Sequence, residues 1–507
     1  MSNNPSAVAG TIDLGRLISA TAHRRGEAIA LDDGVRTRSY RELEARATQL
    51  AAALIRRGIE PGARIAVLAE NRFEYIELAL AAARCGAILC ALNWRFTVEE
   101  LAHCIAITQH TLLFVSVRHA ALLPGLPVSE AVIIAFGEAY EALLAEASAP
   151  NLWPRIDPEA GFIILYTSGT TGHSKAALIS HRAEWARFTL SQIDGGLRAG
   201  DGFVAWAPFF HMVALEHALH VLALGGTVQV VDGADIERIV WLGSRVPQWW
   251  LVLLPGMMDR VVDAMRRSGA KPAPIRIVGA LADLVSPALV AETSRTFNAP
   301  YWNTFGSTET GMLPFAGTRF PIGEIPRGLA KAPNSLHLFK LVDADDREVR
   351  PGEPGEVALR GPTVFSGYWD ATAINAQEFG GGWFHLGDVF AARADGLYDY
   401  VDRAKYLIKT GAENVYPAEI ERVLLSHPQI IEAVVVRRAD ARWGEVPVAF
   451  VCGRDPVPTA ETLMAWCSTR LAGYKKPKEI RFVADVETFP RSTSGKIQRQ
   501  ALEQWLR

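Results

Sequence analysis

The densest set of phosphate-seeking groups in this 507-residue chain is the run Thr167-Ser168-Gly169-Thr170-Thr171-Gly172-His173-Ser174-Lys175, entered directly from the apolar segment Phe162–Tyr166. Hydroxyls, glycine-exposed backbone N–H groups and one ammonium on a short loop suit an anion whose charged oxygens lie close together. A Walker-type loop would place Gly directly before the Lys and Ser or Thr directly after it. Ser174 and Ala176 stand there instead, so spacing excludes a P-loop nucleotidase. A ligand-free Ser/Thr/Gly surface loop is the bland alternative, and the run alone does not dismiss it.

Four further stretches carry groups of the same kind. They are Asn303-Thr304-Phe305-Gly306-Ser307-Thr308-Glu309, Gly382-Trp383-Phe384-His385-Leu386-Gly387-Asp388, the segment from Asp402 to Pro417, and Pro490-Arg491-Ser492-Thr493-Ser494-Gly495-Lys496-Ile497-Gln498-Arg499. With these in order along nearly the whole chain, the sequence resembles the adenylate-forming superfamily, and within it the AMP-forming acyl-CoA ligases of benzoates, coumarates and fatty acids. That family's loop reads TSGTTGxPKG. Ser174 replaces its Pro and Ala176 its last Gly, while Thr167, Ser168, Gly169, Thr170, Thr171, Gly172 and Lys175 keep their places. The resemblance implies ATP-dependent conversion of a carboxylic acid to an acyl-adenylate with release of pyrophosphate. Transfer to coenzyme A follows, leaving AMP, with Mg²⁺ as the metal.

By that resemblance the Thr167–Lys175 loop, Asn303, Phe305, Gly306, Asp388 and Arg403 bind nucleotide. Phe305 stacks on adenine, the Thr308 hydroxyl meets the α-phosphate, the Glu309 carboxylate holds Mg²⁺ and Asp388 accepts the ribose hydroxyls. A carboxylate has the acceptor geometry for a vicinal diol. The closely spaced phosphate charges repel an incoming carboxylate, so oriented donors and a divalent ion must neutralise them first. The same resemblance makes Lys405 the pivot of a mobile C-terminal domain and assigns Lys409, Gly411, Ala412 and Trp443 to the thiolation passage. Ala412 stands where the family has a second Gly, and its methyl narrows that passage. Lys496 is implied as the catalytic ammonium, bridging the attacking carboxylate and the α-phosphate and leaving with its domain after adenylation.

Pro208-Phe209-Phe210-His211-Met212 looks like the family's gate segment, with His211 as the gate. Leu190, Met212, Val213, Ala280, Thr304, Met312 and Leu313 complete the implied acyl pocket, an apolar set suited to an aromatic, alicyclic or medium-chain acid. No Asp stands ready for an ammonium, which disfavours an amino-acid substrate. Three other readings stay open: a stand-alone enzyme that loads a carrier protein, a luciferase-like monooxygenase, and a non-catalytic nucleotide-binding scaffold. The joint presence of Lys496, Glu309 and Asp388 speaks against the last.

The elements that must position these groups alternate between helical and strand periods. Leu43, Ala47, Leu50, Ala51 and Leu54 share one helical face within Tyr40–Arg57, and Arg64–Ala69 reads as a buried strand. The alternation recurs through Ile76–Ala91, Leu112–Val117, Ala131–Phe136, Phe162–Tyr166 and Thr227–Val231, which predicts an α/β fold with largely parallel sheets. Short antiparallel strands are expected between Gly352 and Asp402. A compact C-terminal segment then carries helices at Pro417–Ser426 and Ala460–Leu471 and a strand at Ile431–Arg437. The expected organisation is a large N-terminal domain of two α/β layered sheets plus a small β-rich unit (residues 1–403) and a small mobile α+β domain (404–507).

Lys plus Arg number 52 against 55 Asp plus Glu, for a net charge of −3. This gives no electrostatic reason for a nucleic-acid or anionic-membrane partner. Cys85, Cys90, Cys104, Cys452 and Cys467 lack metal-ligand spacing and suit free thiols in a reducing cytoplasm. The N-terminus lacks the basic and apolar regions of a secretory leader. No apolar stretch reaches the roughly 20 residues of a membrane span. No appended carrier domain is expected after Arg507, and the partners expected are a small acid, ATP and CoA, with a homodimer as a further expectation.

Overall fold

Ser39 and Glu42 close a reciprocal capping box that starts the helix Tyr40–Arg56, and Leu43, Ala47, Leu50, Ala51 and Leu54 are all buried on one face. Such a cap contributes about 1 kcal/mol, so most of this helix's stability comes from the buried stripe. The helix Phe73–Cys85 is buried along its whole length. Its charges are paired: Glu77 takes Arg46 Nε at 2.7 Å and the Tyr140 hydroxyl at 2.8 Å, and Arg84 holds Glu44. The computed structural model describes residues 13–129, 132–146, 153–167, 174–410, 413–491 and 497–506. Of the candidate site residues, Ser168, Gly169, Thr170, Thr171, Gly172, Gly411, Ala412 and Lys496 lie outside that set.

By its internal contacts the chain divides into two compact units, residues 1–328, 333–338 and 360–382 in the first, and 329–332, 339–359 and 383–507 in the second. The first contains a six-stranded sheet in the order Ile133–Ala135, Leu112–Val115, Arg64–Leu68, Ile88–Ala91, Gly161–Thr167, Lys175–Ser180. All neighbours are parallel except the last pair. Two four-stranded sheets accompany it, one built on Ile29–Asp32 and Val228–Val230, the other on Gln248–Leu251 and Ile275–Val278. A parallel bridge between Gly202 and Gln248 and the bond from Trp249 N–H to Gly202 O at 2.8 Å tie these two edge to edge. The unit thus has the two sheet layers that the helix–strand alternation predicts.

The second unit holds an antiparallel meander of Pro354–Arg360, Phe384–Ala392 and Tyr398–Arg403. Beyond it the long strands Ile430–Asp440 and Gly444–Gly453 pair antiparallel and pack under the helices Pro417–Leu425 and Ala460–Ser468. The five cysteines are free and buried, and burial pushes the Cys90 and Cys104 thiols up to about 12, leaving them inert. Among the described residues no helix is long and apolar enough to cross a membrane.

Candidate active site

The strand Gly161–Thr167 is buried through its centre, and its final residue Thr167 lies directly opposite Lys175, the first residue of the returning strand Lys175–Ser180. Thr167 and Lys175 therefore share one rung of the sheet. Lys175 reaches Glu378 Oε1 at 3.1 Å and sits 4.4 Å from the centre of the Tyr368 ring. Tyr368 is placed by backbone pairing: Ser366 N–H donates to Leu178 O, Leu178 N–H to Gly367 O and Trp369 N–H to Ala176 O, at 2.7, 3.0 and 2.8 Å. The Asn375 side chain closes both backbone groups of Tyr368, accepting its N–H at 2.7 Å and donating to its carbonyl at 2.8 Å.

The second cluster follows the strand Tyr301–Asn303, where Asn303 and Thr304 are buried. Ser307 and Gly311 exchange backbone bonds at 3.0 and 2.9 Å, so Thr308 and Glu309 occupy the tip of a tight turn. Gly306 permits it, since a Cβ there would meet Gly311 O at 2.3 Å. The Tyr368 hydroxyl donates to Glu309 Oε1 at 2.8 Å, and Phe365 N–H donates to Glu309 O at 2.8 Å. Lys175 and Glu309, 134 positions apart in sequence, thus share one tyrosine. Among the described residues no three His, Cys, Asp or Glu side chains gather as an all-protein metal cage. A single Glu carboxylate at the tip of a turn fits Mg²⁺, which is commonly held by one or two carboxylates, with phosphate oxygens and water filling the rest.

Around this turn lie several of the residues implied for the acid. Leu281 N–H donates to Thr304 Oγ1 at 3.2 Å, Tyr301 donates to Ala280 O at 2.6 Å, and Thr310 Oγ1 donates to Leu313 O at 2.9 Å. These bonds bring Ala280, Thr304 and Leu313 to one region, with Phe305 6.4 Å from Phe315 between ring centres. Leu190 lies on the helix His181–Ile193, while Met212 and Val213 open the packed neighbouring helix Met212–Ala223, whose N-cap is His211. Behind Val213 and Ala280 the rings of His217, Trp250 and Trp302 contact one another, with centroids of 5.2 and 4.9 Å for the two successive pairs. Burial lowers His217 to about 3, so that ring is neutral.

In the second unit Asp388 is buried and faces Arg403 across paired strands, its Oδ1 2.9 Å from Arg403 Nε. Lys405 Nζ lies 4.9 Å from the Tyr406 ring centre, and its carbonyl accepts Arg437 Nη2 at 3.0 Å. Lys409 N–H donates to Glu445 Oε2 at 3.0 Å. Trp443 is half-exposed, with the Arg442 guanidinium 4.8 Å from its ring centre.

Sequence reasoning missed Tyr368, Glu378 and Arg187. The Phe365-Ser366-Gly367-Tyr368-Trp369 run, with a glycine between aromatics, is the one signal that marked the first of these.

Comparison with known proteins places this arrangement. The family described as AMP-binding enzyme matches residues 18–369, and its C-terminal domain matches residues 419–496. A feruloyl-CoA synthase from an Amycolatopsis species is 31% identical, over 93% of this chain and 94% of its own. A fatty acid–[acyl-carrier-protein] ligase from Streptomyces coeruleorubidus is 32% identical, over 92% and 91%. In fold, the crystal structure of an anthranilate CoA ligase in complex with anthranoyl-AMP superposes with a TM-score of 0.86 at 23% identity, covering 97% of each chain. The chain belongs to the AMP-binding enzymes, in the AMP-forming acid–CoA ligase branch of the adenylate-forming superfamily.

Proposed function

We propose that this ligase activates an aromatic carboxylic acid, with alicyclic and medium-chain acids as the neighbouring classes, and that the residues singled out by sequence carry the reaction. The observation that carries this reading is the sharing of Tyr368 by Lys175 and Glu309, which sets an ammonium and a carboxylate around one side chain. An apolar set around Leu190, Val213, Ala280 and Leu313 supports an acid bound by burial, as does the name of the feruloyl-CoA synthase relative.

In the first half-reaction a carboxylate oxygen attacks the α-phosphorus of ATP, the bond from that phosphorus to the bridging oxygen breaks, and pyrophosphate leaves. Lys175 and the hydroxyls of its loop bind phosphate oxygens, Thr308 orients the α-phosphate, and Lys496 stabilises the charge shared by carboxylate and α-phosphate. Mg²⁺, held by Glu309 when bound, neutralises phosphate charge. Phe305 stacks on the adenine and Asp388 accepts the ribose hydroxyls, with Arg403 beside it. In the second half-reaction the CoA thiolate attacks the acyl carbon, the carbon–oxygen bond to AMP breaks, and AMP leaves. Lys409, Gly411, Ala412 and Trp443 are assigned to the thiolation step, and Lys405 to the pivot between the two steps.

The test is pyrophosphate release across benzoates, hydroxycinnamates, arylacetates and short- to long-chain fatty acids, with and without CoA. Aromatic acids are expected to give release, and acyl-CoA to appear when the thiol is added. Release confined to long-chain acids would overturn the substrate class. The carrier-protein name of one relative keeps a second acceptor in view. Equal or faster acyl loading of a carrier protein than of CoA would favour it. The five free, buried thiols support a cytoplasmic location.

A further inference from the structure

Arg187 is buried in the helix His181–Ile193, and each of its three guanidinium nitrogens has an acceptor. Nη1 donates to Glu216 Oε1 at 2.6 Å, Nη2 donates to the Thr308 carbonyl at 3.0 Å, and Nε donates to the Thr363 carbonyl at 3.1 Å. A guanidinium is a rigid plane, so three acceptors fixed to it cannot shift independently. Two of the three belong to the segments that hold Glu309. Thr308 directly precedes it, and Thr363 lies two residues before Phe365, whose N–H donates to Glu309 O at 2.8 Å. The same segment continues to Tyr368, the donor to Glu309 Oε1. Both flanks of the Glu309 carboxylate therefore hang from one buried cation.

The third acceptor lies on the helix that opens with Met212 and Val213. Glu216 is 1% exposed on the helix Met212–Ala223, one turn beyond Val213, while Leu190 is one turn beyond Arg187 on its own helix. The stem of Arg187 also runs against Gly311, at φ +70°, where a Cβ would lie 3.0 Å from Cδ. A buried ion pair whose only purpose was to staple two helices would be complete with Glu216. The two bonds to loop carbonyls go beyond that.

We propose that Arg187 is a positioning residue for adenylation, fixing Thr308 and Glu309 in register with the two helices that carry Leu190 and Val213 while touching neither nucleotide nor acid. This rests on the reading of Thr308 and Glu309 as phosphate- and metal-facing. Loss of the fork loosens the turn that presents the carboxylate, so the defect falls on the metal-dependent half-reaction. Thioester formation from a preformed acyl-adenylate needs no such carboxylate and is spared.

The experiment uses the full-length enzyme and compares R187K, R187M, E216Q and E309Q in three assays. These are acid-dependent ATP–pyrophosphate exchange as a function of Mg²⁺, acyl-CoA formation from supplied acyl-adenylate, and thermal unfolding. R187K keeps charge and size but not the fork. It is expected to lower the exchange kcat by about 10- to 100-fold and raise the half-saturating Mg²⁺ several-fold, as loss of charged hydrogen bonds would. Its rate from supplied adenylate stays within about twofold, since those bonds are not used in that step. E216Q, which leaves both carbonyl bonds intact, is milder than R187K. Should R187M fail to fold, R187K and E216Q still decide. Equal loss in both half-reactions, or an unmoved Mg²⁺ dependence in R187K, would reduce Arg187 to a structural staple and overturn the proposal. If E309Q leaves Mg²⁺ dependence unchanged, the assignment of Glu309 fails and the role of Arg187 fails with it. If E309Q shifts it and R187K does not, only the role of Arg187 falls.

Discussion

The Tyr368 hydroxyl donates to Glu309 Oε1 at 2.8 Å. Neither residue is near the other in sequence, and the bond holds the carboxylate on one side while the ring of the same tyrosine meets Lys175 on the other. A hydrogen bond to a charged acceptor is worth about 1.5–3 kcal/mol, so Y368F is expected to raise the Mg²⁺ needed for half-maximal pyrophosphate release by about tenfold. The phenyl ring left behind keeps the contact with Lys175, and the KM for ATP should change much less. Unaltered Mg²⁺ saturation in Y368F would mean that the hydroxyl merely packs.

On the proposed role of Lys175, Glu378 is a competitor of the substrate. Its Oε1 lies 3.1 Å from Lys175 Nζ, in a partly buried pair that ATP phosphates would have to displace. Because such pairs contribute about 1 kcal/mol or less, E378Q is expected to lower the KM for ATP by about two- to fivefold, read from initial rates of pyrophosphate release. A rise in KM would show that Glu378 aims the ammonium rather than withholding it.

The roles proposed for Lys496 and Ala412 separate the two half-reactions. K496A is expected to abolish pyrophosphate release while sparing acyl-CoA formation from supplied acyl-adenylate, and A412L to do the reverse by filling the thiol passage. Rapid-quench measurement of each half-reaction checks both. Pyrophosphate release by K496A at the wild-type rate would remove Lys496 from the chemistry.

Asp402 makes the second unit sensitive to pH. Burial raises its carboxyl to about 6, against the opposing pull of Arg499 and of the N–H bonds from Ala418 and Arg403 at 2.7 and 2.6 Å. A carboxyl whose folded pKa lies above its unfolded value binds its proton more tightly in the native state. Its stabilisation is therefore full below an ordinary aspartate's 3.8 and is lost as pH rises through about 6. That gap corresponds to ~3 kcal/mol at most. Denaturant unfolding of wild type and D402N is expected to show the wild-type advantage shrinking between pH 4 and 7. An advantage that grows over this range would reverse the assignment.

The parts of the fold that were legible in sequence are those set by local periodicity. The helix Tyr40–Arg56 buries one stripe, so its apolar residues recur at helical spacing, and the strand Gly161–Thr167 announces itself as an unbroken apolar run ending in hydroxyls and glycines. The Thr167–Lys175 run and the Thr308-Glu309 pair stand out in sequence because their polar groups lie in contiguous residues. Tyr368 and Arg187 were not, since they act through partners 59 and 121 positions away and no period records such a contact. Nor does composition show that residues 360–382 leave the β-rich stretch around them to join the first unit. That excursion is what delivers Tyr368 to Glu309.

The central claim is that the acid is activated by forming a bond to the α-phosphorus of ATP. The enzyme is supplied with an aromatic acid labelled with ¹⁸O in its carboxylate, together with ATP, Mg²⁺ and CoA, and the AMP is examined by mass spectrometry. Attack on the α-phosphorus followed by thiolysis of the acyl–oxygen bond predicts AMP carrying one labelled oxygen on its phosphate. Unlabelled AMP, or ADP and phosphate in its place, would contradict the account.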